Sequence, residues 1–95
     1  MFEPIINLGR KKFQHDFVDE KNDIFIGQNT ILEPLCVIYP GCKIKNDCII
    51  GTSAVLKHKT AIGEHSIFGS LSNSEGNCSI GSWTTIHAQC HLTEG

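Results

Sequence analysis

An all-β fold generated by a six-residue repeat is what this sequence predicts, and two rows of residues predict it. Every sixth residue from Ile26 gives Ile26, Leu32, Ile38, Ile44, Ile50, Leu56, Ile62, Phe68, Ser74, Ile80, Ile86 and Leu92, of which only Ser74 is not large and apolar. Four places after these positions stand Thr30, Cys36, Cys42, Cys48, Ala54, Thr60, Ser66, Ser72, Cys78, Thr84 and Cys90, all of them small. The two rows are separated by one residue, as a short strand with alternating faces requires. An α-helix is excluded, because a period of six places successive members on different sides of the helix. Glycine follows the apolar position at Gly27, Gly51, Gly63, Gly69 and Gly81, where it is expected to relieve a corner with unusual backbone angles.

The pattern resembles the [LIV]-[GAED]-x-x-[STAV]-x hexapeptide of the left-handed parallel β-helix proteins, most of whose members are acyltransferases. The resemblance covers Ile26 to Gly95. It implies three hexapeptides per triangular coil, so that residues 18 apart stack vertically, and just under four coils in all. In such a prism the aliphatic row fills the interior, and the small row sits where the triangle narrows. All five cysteines belong to the small row, and none stacks on another cysteine. They read as small buried thiols, with neither a disulfide nor a cysteine-bound metal expected.

Two segments follow from this layout. Residues 1–23 lie outside the repeat and form an N-terminal capping segment. Their Phe2, Ile5, Ile6, Leu8, Phe13, Phe17 and Val18 are apolar enough to cover the open end of the stack. Residues 24–95 form the β-helix. The last residues, Leu92-Thr93-Glu94-Gly95, stop in mid-hexapeptide, so the expectation is either a fragment of a longer protein with further coils or a last coil covered by another element.

Composition narrows the class. A net charge of −2 over 95 residues is a poor match for nucleic acid, which requires a basic footprint. No apolar run is long enough to span a bilayer, and Met1-Phe2-Glu3-Pro4 opens no secretory leader. An odd number of cysteines argues against a complete disulfide framework, and the expected compartment is the reducing cytoplasm.

The residue before each aliphatic position is expected to point outward. Sorted by wall, these residues read Ile31, Ile49, Ile67, Thr85; then Val37, Val55, Asn73, His91; then Lys43, Ala61, Ser79. An outward ladder of three isoleucines needs cover. The expectation is a homotrimer through Ile31, Ile49 and Ile67, joined by the valine wall. Both apolar columns turn polar at one height, where an inter-subunit pocket would open.

The resemblance implies acyl transfer from acetyl-CoA, or from an acyl carrier protein thioester, to a hydroxyl or amine of a sugar or nucleotide sugar. No permanently bound cofactor is implied. Such chemistry needs a general base, a task suited to histidine near neutral pH. It also needs a donor for the oxyanion. The candidate bases are His91, then His87, then His58, each set against the simpler reading of an interface histidine. Asn73, Glu75 and Ser70 are candidates for substrate binding, in a segment that forms either a bulged corner or a simple irregular coil, and Glu75 would orient a histidine. Lys57 and Lys59 would meet the donor's phosphates, or merely form a solvated face. Some sugar-acylating members carry a histidine where His91 stands, with the base a few residues later; that later position is Glu94 here. His65 lies beneath Trp83 as a surface packing pair. Two alternatives remain: a non-catalytic binding or assembly module, and a zinc enzyme resembling the γ-class carbonic anhydrases, which needs three converging ligands.

Overall fold

The computed structural model describes residues 4–7 and 9–93. Fifteen short strands stack into three parallel walls and form a left-handed β-helix of about four turns. Wall 1 contains β2 (Lys11–Lys12), β5 (Ile31–Leu32), β8 (Ile49–Ile50), β11 (Ile67–Phe68) and β14 (Thr85–Ile86). Wall 2 contains β1 (Ile5–Asn7), β6 (Cys36–Ile38), β9 (Val55–Leu56), β12 (Asn73–Ser74) and β15 (His91–Leu92). Wall 3 contains β3 (Phe17–Asp19), β4 (Ile24–Ile26), β7 (Lys43–Ile44), β10 (Ala61–Ile62) and β13 (Ser79–Ile80). From β4 onward each strand pairs in parallel with the strand 18 residues away, as in Ile31↔Ile49↔Ile67↔Thr85.

The inward rows behave as their chemistry dictates. Ile26, Ile38, Ile44, Ile50 and Leu56 are fully buried, with Phe68 and Ile62 at 1% exposure. Ser74, the break in the apolar row, is equally buried and does not disturb the coil. Its hydroxyl meets that of Thr60 at 2.8 Å and accepts the Lys57 amide at 3.3 Å, so the polar atom is satisfied inside the prism. The strand of segment 68–77 stays in register, with Val55 below Asn73 and His91 above it, while its second corner carries an additional left-handed residue, Gly76 at φ 114°, beside Asn77. The small row does more than fit a narrow space. Thr30, Ser66 and Ser72 each donate a hydroxyl to a corner carbonyl of the next coil at 2.8 Å, and each accepts the amide 18 residues on. Cys42 and Cys48 make the same carbonyl contact with sulfur at 3.1 Å. All five cysteines are free thiols, and burial pushes the Cys36 thiol up to about 11.

The corners correct one expectation. Left-handed backbone falls at every sixth residue from Asp23 to Gln89, with Gly41 the only glycine among them. The glycines after the aliphatic residues serve another need. A Cβ on Gly69 would lie 2.5 Å from the His87 carbonyl carbon of the coil above, so glycine there permits close stacking, not unusual angles.

Strands β1, β2 and β3 cover the N-terminal end of the helix as a coil wound in reverse. The strands β1, β2 and β3 pair antiparallel with β6, β5 and β4. The chain then turns back through 20–23, where Asp19 accepts the Asn22 amide and side chain at 3.2 and 2.8 Å. Those bonds hold the Asp19 carboxyl below its ordinary value. Phe13 is buried, and Ile5 and Phe17 pack on the core. Ile6 and Val18, expected to cover the coil end, instead stand 58% and 59% exposed, because strand alternation turns them outward. Phe2 and Leu8 lie outside the described residues.

Candidate functional site

The upper half of wall 2 brings three of the sequence-predicted residues together. Parallel pairing of β12 with β15 sets His91 directly above Asn73. Glu75 begins the corner that follows β12, and its amide is anchored on the Leu92 carbonyl at 2.9 Å. The imidazole of His91 is held between them, with Nδ1 against Asn73 Oδ1 and Nε2 3.0 Å from Glu75 Oε2. A carboxylate oxygen only accepts, so Nε2 carries its proton toward Glu75. The Asn73 amide oxygen also only accepts, so Nδ1 donates to it in this arrangement. A free lone pair on Nδ1 requires the carboxamide to turn its Nδ2 to the ring or to leave it. The imidazole of His91 and the carboxylate of Glu75 are about half exposed. Orientation by a carboxylate is the arrangement that keeps one imidazole tautomer and supports positive charge on the ring when a proton arrives.

His87 stands apart from this cluster. It occupies the corner between walls 1 and 2, whereas the His91 ring is committed to Glu75 on the corner between walls 2 and 3. Among the described residues no hydrogen bond reaches the exposed His87 ring. Its carbonyl accepts from Ser72 Oγ, which fixes the corner. Ser70 lies on the corner one coil below, where its hydroxyl accepts the Thr52 amide at 3.2 Å and its carbonyl accepts the Gln89 amide at 2.9 Å. Ser70 thus ties three coils together, and its hydroxyl proton is left for another partner.

Lys57, His58 and Lys59 are exposed on the corner between walls 2 and 3, one coil beneath Glu75. The His58 ring meets Tyr39 edge-on at 5.2 Å. Beside it a hollow of about 210 Å³ is lined by Asn22, Asp23, Pro40, Gly41, His58 and Lys59. Lys43 is spent on Asp23, 2.6 Å from its carboxylate, which leaves Lys57 and Lys59 as the cations of this corner that form no ion pair among the described residues.

The outward columns fall on the expected walls, and the edge between walls 1 and 2 adds residues that the column pattern passes over. Leu35 and Leu71 are 53% and 55% exposed there, both at left-handed corner positions with φ near 64° and 62°. A bulky side chain is unfavourable in that conformation. The signal in the sequence is a leucine at a corner position elsewhere held mostly by Asn, Asp, Ser or Lys. Ser53 stands between them in the corner column, and two further exposed aliphatics, Ile67 at 41% and Ile6 at 58%, lie on walls 1 and 2.

Residues 23–58 match the family described as bacterial transferase hexapeptide (six repeats). The same six-residue row and the same coil geometry run on past that segment to Leu92. The matched segment carries the hexapeptide repeat of a family that includes acyltransferases. No curated protein and no solved structure matches the chain. No helix of the described residues is long and apolar enough to cross a membrane. Among the described residues no three His, Cys, Asp or Glu side chains group to hold a metal ion. Glu94 lies outside the described residues.

Proposed function

We propose that this protein is an acyltransferase, using acetyl-CoA or a related thioester to acylate a hydroxyl or amine of a sugar or nucleotide sugar. The observation that carries this reading is the His91 imidazole held by Glu75 and Asn73 on a wall that is otherwise apolar. With Nε2–H directed at Glu75, Nδ1 becomes the basic nitrogen once the Asn73 amide oxygen no longer faces it. The acceptor's hydroxyl or amine takes the place of Asn73 at Nδ1 and surrenders its proton as the oxygen or nitrogen attacks the thioester carbonyl. The tetrahedral intermediate then collapses with cleavage of the C–S bond, and the thiolate leaves as the thiol, taking that proton back from the ring. Asn73 then serves the acceptor, and Ser70 offers its hydroxyl from the neighbouring corner. Lys57 and Lys59 are suited to the phosphates of the donor. His87 is the second candidate base, one corner away.

The active form is a homotrimer packed through Ile31, Ile49 and Ile67, the valine wall, and the edge carrying Leu35 and Leu71. These outward side chains lose about 25 cal/mol per Å² of exposed apolar surface only if another subunit covers them. The test replaces His91 and His87 separately by alanine and follows thiol release from acetyl-CoA with a panel of sugar acceptors. Loss in His91→Ala with His87→Ala near wild type supports the assignment. Full turnover in His91→Ala refutes it. Binding of acceptors without any thiol release favours the binding-module reading.

A further inference from the structure

We propose that the main-chain carbonyl of Glu75 is a substrate-binding acceptor beside His91, turned out of the prism by Ser74, Thr60 and Gly76. The ordinary corners show what this one departs from. There the peptide entering the second corner residue directs its carbonyl into the stack, where it accepts a hydroxyl or thiol of the coil below. Lys45, Lys57, Gly63, Gly81, His87 and Thr93 accept in this way from Thr30, Cys42, Cys48, Ser66, Ser72 and Cys78, each donor standing 15 residues before its acceptor. The N–H of the corresponding peptide faces outward, where Gln28, Thr52 and Glu64 donate to Asp16, Ser70 and Ser82 at the surface.

The corner that Glu75 opens breaks this rule twice, although its coil keeps register. Thr60 is placed to hold the Glu75 carbonyl, but its hydroxyl meets Ser74 Oγ at 2.8 Å. Among the described residues nothing donates to that carbonyl. Gly76 has φ 114°, half a turn from the φ of about −60° usual at this turn position, so the 75–76 peptide is turned over. The two departures agree, with the carbonyl facing out and the Gly76 N–H facing in. The missing partner belongs to the coil below, so the upper end of the stack does not set the departure. Ser74, the one polar residue of the aliphatic row, takes the Thr60 hydroxyl that would draw the carbonyl inward. Glycine is required at 76 because an L side chain rarely adopts that φ. A carbonyl only accepts, as does the Glu75 carboxylate beside it, so the group that meets it is a hydroxyl or an N–H. With the reacting group at His91, the substrate carries a second donor on the same molecule, as a sugar does and a simple alcohol does not. This inference deepens the acyl-acceptor reading of wall 2 and rests on it.

Two readouts on the full chain test it by NMR: amide exchange at residue 76 reports the peptide, and titration with small glycosides reports the ligand. In wild type the Gly76 amide should exchange more slowly than that of His58, which holds the same corner position one coil below. Gly76→Ala should restore the ordinary corner, because Ala88 holds this position without positive φ. Ser74→Ala should return the Thr60 hydroxyl to the Glu75 carbonyl. Both variants should raise exchange at residue 76 to the rate seen at His58. Methyl glucoside and methyl glucosaminide are then titrated, with ethanol as the single-donor control. At least one glycoside should saturate while ethanol does not, and both variants should weaken that binding about three- to tenfold, the worth of one hydrogen bond. Fast exchange at Gly76 in wild type overturns the proposal. So does unchanged glycoside affinity in the variants, an equal response to ethanol, or no saturable binding of either glycoside up to about 50 mM. Failure of the base assignment has a different signature: full turnover in His91→Ala, with glycoside binding still weakened in Gly76→Ala, removes His91 as the base and keeps the Glu75 carbonyl as a binding group.

Discussion

The lower and upper halves of wall 2 share one backbone and differ in almost everything they present. Ile6, Val37 and Val55 stand in one outward column with Asn73 and His91, each paired in register with the next. Beneath them the inward row continues through Ile38, Leu56 and Ser74, all buried. The coil geometry therefore does not depend on what the outward residue is. Inward residues specify the stack, and outward residues record what each stretch of wall faces. Under the proposed function, the change from valine to asparagine and histidine would mark a change of neighbour, from another subunit to a small molecule.

Substitutions should separate the two halves by the size and kind of their effects. Phe68→Ala removes the largest inward side chain and should cost roughly 3–5 kcal/mol in denaturant unfolding, enough to unfold much of the population. An outward change at the same coil should not: Ile67→Lys should keep the melting curve of the individual subunit while sedimentation shifts from trimer to monomer. A subunit that stays trimeric would break the comparison at its lower half. Glu75→Gln keeps shape but removes the charge beside Nε2, so turnover should fall about tenfold, within the range expected of an orienting group, with assembly unchanged. The smallest effect concerns the thiols. Cys36 is neutral when folded and its value is raised from 9.0 to about 11, so its contribution to stability is fully present below pH 9.0 and is lost as pH rises through about 11. Alkaline melts should show that loss, and a thiol reagent at neutral pH should label Cys90, which is partly exposed, well before Cys36, Cys42, Cys48 or Cys78.

The fold was legible because two inward rows repeat without a slip, and a period of six admits no helix. The three walls followed from counting 18 residues, down to Ile31, Ile49 and Ile67 in one column. Corner geometry was not legible in the same way. The glycines mark close approach between coils, while the left-handed residues two places later include leucine, lysine, histidine and tryptophan. Side-chain identity there carries no common signature. The reverse-wound coil was hidden because its strands are two or three residues long and its pairing depends on the turn at 20–23. For the site, stacking placed Asn73 under His91, and Glu75 was named as a possible orienting group. Its contact with Nε2 depends on how far a corner side chain leans back over the wall, which spacing alone does not specify. His87, near His91 in sequence, is separated from its cluster because residues 87–90 make the corner between walls 1 and 2, while the His91 ring meets Glu75 on the corner beyond wall 2.

The most direct test of the account is the rate of acetyl transfer by wild type and His91→Ala, measured on trimeric protein with the same acceptor. A loss of about a hundredfold or more in the variant, with assembly and donor binding intact, is the predicted result. Equal rates in the two proteins would contradict it, and would leave the polar half of wall 2 without its catalyst.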